Sequence, residues 1–448
     1  VKRLRAARRA REARPGAWAR LVFTAACVAG VGAGVAGAGP AHAENLLEVY
    51  AQARAADPTL AGVAAQRGVQ VETAVQARAA LLPQWQVSAS DARSQFDGSH
   101  SRQAQSSLSQ AIFDLGHLRS WQAEALQTSA QDASLRAAEQ DLCARVAQAY
   151  FGVLLAQASL ATTQANEAAY AAQVTQSKAR FKLGLAAQVD AEQASAYYEL
   201  ARGSTLQARQ TLDDARQALA QITGHLPGEL KPLAPDLPAL PPDPEDPQAW
   251  VDRAMQTNPG VRALDLTLAA SQRRIDAARA GHWPVLSAGL TTLRAGGPGV
   301  DSLQDGRNVT QVSVQLSLPL FSGGAIDSQV RQAQYQRDSA ADTLESARRA
   351  AVRETRAEYQ AVMVELRLMQ STRAAVEAAD RALASTRTGQ TLGTRSNTDL
   401  LLAIQTQTTA QSANDQARHA YVLARLLLLQ AAGELNEAGL AAANALLQ

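Results

Sequence analysis

Aromatic side chains make up only 4% of the 448 residues, and there are two cysteines, three methionines and six histidines. So few rings exclude the bulky core of a large globular domain. What remains is mostly Ala, Leu, Val and Gln, a composition suited to long helices whose backbones approach closely. Cys27 falls in the N-terminal leader, which leaves Cys143 without an intrachain disulfide partner. The histidines, at 42, 100, 117, 225, 282 and 419, never pair at ligand spacing, and a single cysteine cannot complete a zinc site, so no metal and no other cofactor is expected. Beyond the leader, no stretch approaches the ~20 consecutive apolar residues of a membrane-spanning helix. Entry into a bilayer would therefore need strands.

Catalytic motifs are missing as well. There is no G-x-S-x-G elbow, no phosphate loop and no acid pair in a catalytic setting, and the one G-x-G-x-x-G match, "GAGVAG" at Gly32 to Gly37, lies in the leader with no strand before it. The chain is not expected to be an enzyme. Charged stretches such as "RRAAVRETRAEYQ" at 348–360 read as solvated helix faces with i,i+4 pairs.

The leader itself is distinctive. A basic segment, "VKRLRAARRAREARPGAWAR", precedes the apolar "LVFTAACVAGVGAGVAGAG" and an A-x-A ending, "AHA", the pattern of a secretory signal peptide spanning residues 1–43. Only six apolar residues precede Cys27, which does not fit a lipoprotein cleavage site. Removing the leader takes away eight basic side chains and one acidic one, turning a formal charge of +2 into −5. The apparent basicity gives no argument for a nucleic-acid partner.

The rest of the chain repeats itself. "ADPTLAG" from Ala56 answers "TNPGVRA" from Thr257, Pro83 matches Pro284, Phe113 matches Phe321, Gly184 matches Gly393 and Gly224 matches Gly433, with offsets drifting only from 201 to 209. This order predicts a first repeat over 44–224, a linker over 225–247 holding eight of the sixteen prolines, a second repeat over 248–433 and a C-terminal segment over 434–448. Each repeat reads helix, strand, loop, strand, long helix, turn, helix.

In the second repeat, "VTQVSVQLSLPLF" from Val309 alternates, with Val312, Val314, Leu316, Leu318 and Leu320 on one face and Ser313, Gln315 and Ser317 on the other. Such strands are long enough to cross a hydrocarbon layer when tilted. Trp85, Phe113, Trp283 and Phe321 stand at the same end of the four strands. Two readings fit them: a packing cluster where strands meet helices, or an interfacial aromatic girdle. After Gly323, Ile326, Val330, Ala333, Ala340, Leu344, Ala347 and Ala351 form a heptad seam on one long helix, which at ~1.5 Å per residue reaches roughly 100 Å by Gln390. The break "LGTRSNTDLL" then reads as a stop at Gly393 and a restart capped by Ser396, Asn397 or Thr398, with Asp399 at the positive helix end.

From "ENLLEVYAQARAADP" through "RAALLPQ", "LSQAIFD", "ARFKLGLAAQVD", "LPLFSGGAIDSQVRQAQY" and "LGTRSNTDLL" to "AAGELNEAGLAAANALL", the chain resembles the TolC family of outer-membrane channel-tunnel proteins. The resemblance implies a mainly α fold with a membrane β-barrel portion, in which a homotrimer closes one twelve-stranded barrel from four strands per chain. It implies a periplasmic helical tunnel, with the linker and C-terminal segment in an equatorial belt. Its expected function is passive exit through the Gram-negative outer membrane, for type I protein secretion or multidrug efflux. The expected partners are outer-membrane lipid, a periplasmic adaptor (membrane fusion) protein, and an inner-membrane ABC exporter or proton-driven pump.

By the same resemblance, Arg395 and Asp190 are the gate tether and Asp399 forms a constriction ring. The turns at Gly184, Leu185, Gly393 and Thr394 would dock the adaptor. Two residues depart from the family pattern: Gln390 stands in place of a tether tyrosine, and Leu402 in place of a second ring aspartate. The competing expectation is a periplasmic coiled-coil adaptor or scaffold without a barrel, which the amphipathic strand pairs argue against.

Overall fold

The computed structural model describes residues 43–93, 95–96, 100–296 and 306–448. The leader reading and the tips of both strand loops lie outside the described residues. Two successive runs share one order of elements. The first is α1 (Leu46–Ala56), α2 (Pro58–Ala79), β1 (Gln84–Arg93), β2 (His100–Phe113), α3 (Leu115–Lys182) and α4 (Gln188–Thr223). The second is α5 (Pro247–Thr257), α6 (Pro259–Arg279), β3 (Val285–Gly296), β4 (Asn308–Ser317), α7 (Ala325–Thr391) and α8 (Asn397–Ala431), after which α9 (Glu437–Asn444) follows.

The matched "DP" and "NP" pairs turn out to be helix starts. Asp57 and Asn258 are N-caps, with Pro58 and Pro259 at the first helical position, where a missing N–H costs nothing. Asp57 is buried, accepts from the Leu60 N–H at 3.0 Å and pairs with Arg145 at 2.8 Å. The Arg145 guanidinium holds the Asp57 carboxyl below the usual carboxylate range. Its counterpart Asn258 caps Gly260 and Val261 and also donates to the Ala431 carbonyl at 3.3 Å.

Helices α3 and α7 run unbroken for 68 and 67 residues. Every residue of the predicted seam on α7 is buried or half-buried, and Leu344 and Ala351 pack with Val261 of α6. Small residues allow this close approach: a methyl on Gly281 would meet Ile326 Cγ2 at 3.2 Å.

The main core gathers Leu46, Leu142, Tyr150, Phe151, Leu219, Tyr421, Leu428 and Leu440. Around it the proline-rich linker is ordered and fastened by tyrosines. Tyr150 Oη donates to the carbonyls of Glu44 and Lys231, both at 3.1 Å, and Tyr421 Oη donates to that of Leu240 at 2.7 Å. Prolines cannot supply the N–H groups of a ladder, so side-chain hydroxyls satisfy the linker carbonyls instead.

The four strands form one antiparallel sheet in the order β1-β2-β3-β4. β4 stops at Ser317, before Pro319, so Leu318, Leu320 and Phe321 lie beyond the strand they were expected to extend. The register aligns Trp85, Leu108, Leu290 and Val312 in one row across all four strands. Because opposed residues share a face and alternate residues switch faces, that face also carries Val87, Ala288, Val314 and Leu316. The opposite face carries Gln86, Ser107, Thr291 and Gln311 in one row and Ser109, Gly289 and Ser313 in the next. One side of the sheet is predominantly apolar over its helix-proximal half, and the other is rich in uncharged polar groups. Among the described residues, β1 and β4 each leave an outer edge without a partner strand.

At the far end of the second run, α8 stops at Gly433 (φ +76) against the α5–α6 junction. Gln140 Nε2 donates to the Gly433 carbonyl at 2.7 Å and Thr257 Oγ1 to that of Ala432 at 2.6 Å. A methyl on Gly433 would sit 2.6–2.8 Å from backbone atoms of Thr257 and Asn258, whereas one on the matching Gly224 (φ +82) would meet only Ala56 Cβ at 3.5 Å. Gly224→Ala is therefore expected to cost about 1–2 kcal/mol for left-handed backbone alone. Gly433→Ala is expected to cost more, because backbone must also move. Thermal melting followed by helical circular dichroism checks this: Gly433→Ala should melt below Gly224→Ala, and equal midpoints would contradict the close packing.

Candidate functional site at the helix-hairpin turns

Both hairpins turn by the same local chemistry. In the first, the Leu185 N–H donates to the Arg180 carbonyl at 2.9 Å and the Gly184 N–H to that of Phe181 at 2.9 Å. In the second, the Thr394 N–H donates to the Gly389 carbonyl at 2.8 Å and the Gly393 N–H to that of Gln390 at 3.2 Å. Each is a Schellman stop, which needs left-handed backbone at its glycine, Gly184 (φ +73) and Gly393 (φ +75).

The restarts differ. Helix α4 begins after Ala187 with no side-chain cap. For α8, Ser396 is the cap among the three candidates: its Oγ accepts from the Asp399 N–H at 3.0 Å, while Asp399 Oδ2 accepts from the Ser396 N–H at 3.0 Å. Hydrogen bonding to Ser396, its backbone N–H foremost, aided by the nearby Arg395 cation, holds the Asp399 carboxyl below its ordinary range.

Asn397 joins the two turns, and sequence reasoning missed that role, treating it only as a possible cap. Its Nδ2 donates to the Asp190 carbonyl at 3.2 Å, and its Oδ1 accepts from Gln390 Nε2 at 3.2 Å and from Gln173 Nε2. Gln173 and Gln390 are both buried. Beside this cluster, Thr398 Oγ1 donates to Gln193 Oε1 at 3.1 Å. Five uncharged side chains and one carbonyl thus bridge α3, α4, α7 and α8. Gln390, expected as a tether, donates to Asn397 inside the protomer.

The structure places Arg395 and Asp190 around one polar cavity of 250 Å³, together with Arg180, Ser177 and Asn397, but does not pair them. Among the described residues, Arg395 has no carboxylate within salt-bridge distance. Its stem lies across α7 at Gly389, where a methyl would come within 2.7 Å of Arg395 Cγ. Gly389 is a second residue that sequence reasoning missed; its absent side chain carries no periodic signal. Leu183, Leu185, Leu392 and Leu402 are all exposed at the turns.

At the sheet, Trp85, Phe113, Trp283 and Phe321 are 75%, 44%, 54% and 90% exposed, which removes a packing cluster within the chain. Trp85 Nε1 donates to Ser106 Oγ at 2.9 Å, leaving its ring on the apolar face. Among the described residues no helix is long and apolar enough to cross a membrane.

The family model described as outer membrane efflux protein matches this chain twice, over residues 49–225 and 250–434. The outer membrane protein TolC of Escherichia coli (strain K12) is 33% identical over 425 residues, covering 90% of this chain and 85% of that protein. The alkaline protease secretion protein AprF of Pseudomonas aeruginosa is 27% identical, over 75% of this chain and 70% of its own length. Among solved structures, the Campylobacter jejuni CmeC outer membrane channel superposes with a TM-score of 0.76 at 17% identity, covering 90% of each chain.

Loss of the Ser396 cap is expected to free the first turn of α8. Ser396→Ala should cost about 1 kcal/mol, seen as roughly fivefold faster hydrogen exchange over 397–401. The sign of the pH effect follows from the depressed Asp399 value. The stabilisation is present above the ordinary aspartate range and is lost as pH falls through the lower folded value. Exchange corrected for intrinsic rates should therefore be flat from pH 7 to pH 5; an increase over that range would contradict the capping box.

Proposed function

Since the chain belongs to the outer membrane efflux protein family, and is thereby an outer-membrane exit duct for secretion or efflux, we propose that three copies close one barrel and gate it at the hairpin turns. The fold and family are those of passive channels, not of enzymes. The observation that carries the proposal is the sheet: one face predominantly apolar near the helices, the other rich in uncharged polar groups, and both edges open. Four strands cannot close a membrane barrel, since about eight is the smallest count. Unpaired edges in hydrocarbon cost several kcal/mol for each polar group. Three sheets joined edge to edge satisfy every strand. The exposed aromatic residues Trp85, Phe113, Trp283 and Phe321 then form the girdle at the periplasmic interface. A leader over 1–43 would deliver the chain across the inner membrane. The double family match supports the duplicated design.

The hairpin turns then form the periplasmic mouth. Arg395, unpaired with Asp190 in its own chain, is available to a neighbouring protomer. Asp399 contributes one carboxylate per chain to a ring, and Leu402 contributes none, which weakens the preference for cations. The exposed turns at Gly184, Leu185, Gly393 and Thr394 receive an adaptor recruited by an inner-membrane ABC exporter or proton-driven pump. The adaptor-or-scaffold alternative leaves the sheet unexplained and is set aside.

Magnitudes favour a reversible latch. An exposed ion pair contributes about 0.2–1 kcal/mol and a neutral hydrogen bond about 0.5–1.5 kcal/mol, so three copies of each bias the closed state by a few kcal/mol. A docked partner with differential affinity of that size opens it.

Single-channel recording in planar bilayers tests the gate. Arg395→Ser and Asn397→Ala are each expected to raise conductance, with Asn397→Ala doing so equally at low and high salt because its bonds are uncharged. Wild-type conductance in both variants would remove the gate from these turns. Extraction of the wild type from outer-membrane fractions by buffer alone would remove the barrel.

A further inference from the structure

Beyond its apolar half, the face that carries Trp85 and Leu108 crosses a row of Val87, Ser106, Thr292 and Thr310 and ends in a basic cluster. Past Ala89 and Ala104, the register sets Asp91 opposite Arg102 and Arg93 opposite His100, and Arg294 stands opposite Ala104. Residues at this spacing project from the same face as Trp85 and Leu108. Three guanidiniums therefore face one carboxylate. Asp91 is engaged by His100 at 2.7 Å and by Arg102 at 3.4 Å. Arg93 and Arg294 are exposed and have no carboxylate in salt-bridge distance among the described residues. A depression of 540 Å³ lies at this level, where Asp91, Arg102 and Arg294 line it together with small residues such as Ala89, Ala104 and Gly296 and with Ser90, Gln103, Ala295 and Gly306.

We propose that this arginine-rimmed depression binds the phosphorylated headgroup of an outer-leaflet glycolipid, whose acyl chains run along the apolar rows toward Leu108, Leu290 and Val312. The inference rests on the barrel reading, which turns this face to lipid. Position along the strands supports it. Phe113 to Arg102 spans eleven residues of β2, roughly 37 Å at ~3.4 Å each. At a tilt of about 40° that is roughly 28 Å of height, close to the ~25 Å apolar band of such barrels. If the aromatic end marks one interface, the arginines stand at the other, on the side away from the helices. Guanidinium forks match phosphate oxygens in pairs, and a floor of small side chains lets a sugar phosphate approach them. No polypeptide partner is needed to explain a cationic rim placed above lipid-facing valines and leucines.

The test uses the purified full-length trimer in detergent, with bisphosphorylated lipid A as the probe and bound lipid read by native mass spectrometry. Wild type should retain lipid A in preference to its dephosphorylated form. Arg102→Gln with Arg294→Gln should weaken binding by about fivefold for each arginine removed, and the double lysine variant should recover part of it. Equal binding by wild type and the glutamine variant, with both still heat-resistant trimers, overturns the inference and leaves the barrel standing. Competition by millimolar inorganic phosphate as effective as by lipid A assigns the rim to free phosphate and overturns the lipid reading. Failure of the wild type to form trimers that need detergent defeats the barrel reading itself and is scored separately.

Discussion

A backbone N–H or C=O has nowhere to turn in hydrocarbon, and the outer edges of β1 and β4 each present a row of them. Much of the molecule follows from that constraint. In the proposed barrel, the four strands of one chain meet those of its copies, and the same association would set long helices side by side. Their seams are accordingly built from alanine, with Ala333 and Ala351 buried and leucines such as Leu344 spaced between them. Small side chains let helix axes come near without demanding the large rings that the composition does not provide. The rings that do occur are spent at the strand ends and in the core, where Tyr150 and Tyr421 combine apolar bulk with a hydroxyl that holds the linker.

The proposed tunnel has the opposite requirement at its far end, where something must yield. The hairpin turns supply it through local bonds of modest strength. Gly184 and Gly393, both in left-handed backbone, fix the reversal of direction at the two turns. Near the turns, the hydrogen bonds between hairpins join uncharged groups and are centred on Asn397 and the two buried glutamines. Buried amides are satisfied here, and separating them exposes them to water that replaces the lost bonds. This keeps the net cost of opening near that of a few hydrogen bonds instead of that of stranding a buried charge.

Elements with period were legible in the sequence. Alternation over β4, the heptad seam of α7 and the turn glycines each appear in the structure, because repeated burial on one face leaves a repeated mark. The end of β4 was overextended by four residues because hydrophobic alternation continues through Pro319, and the proline's missing donor outweighs the pattern. Pairings between distant elements left no such mark. The Asp57–Arg145 pair and the Asn397 cluster depend on which helices lie side by side. The expected Arg395–Asp190 link was carried by resemblance, and in the protomer the short amide at 397 reaches the Asp190 carbonyl instead.

The sheet also bears on where selection occurs. Its polar face presents serine, threonine and glutamine and no acid or base between Gln84 and Ser90 or between Gln103 and Ser109. A proposed lumen of that kind carries no fixed charge along most of its length, so it neither concentrates nor repels a charged cargo, and hydroxyl and amide groups exchange their bonds with water at little cost. Discrimination by charge is left to the turns, where Arg395 and Asp399 are exposed. With leucine at 402, one carboxylate per chain would remain at the proposed constriction, and Ser396 already holds that carboxylate in a cap. The group proposed to set ion preference at the mouth is therefore the one that holds the start of α8, which would tie any change in that ring to the stability of the helix that carries it.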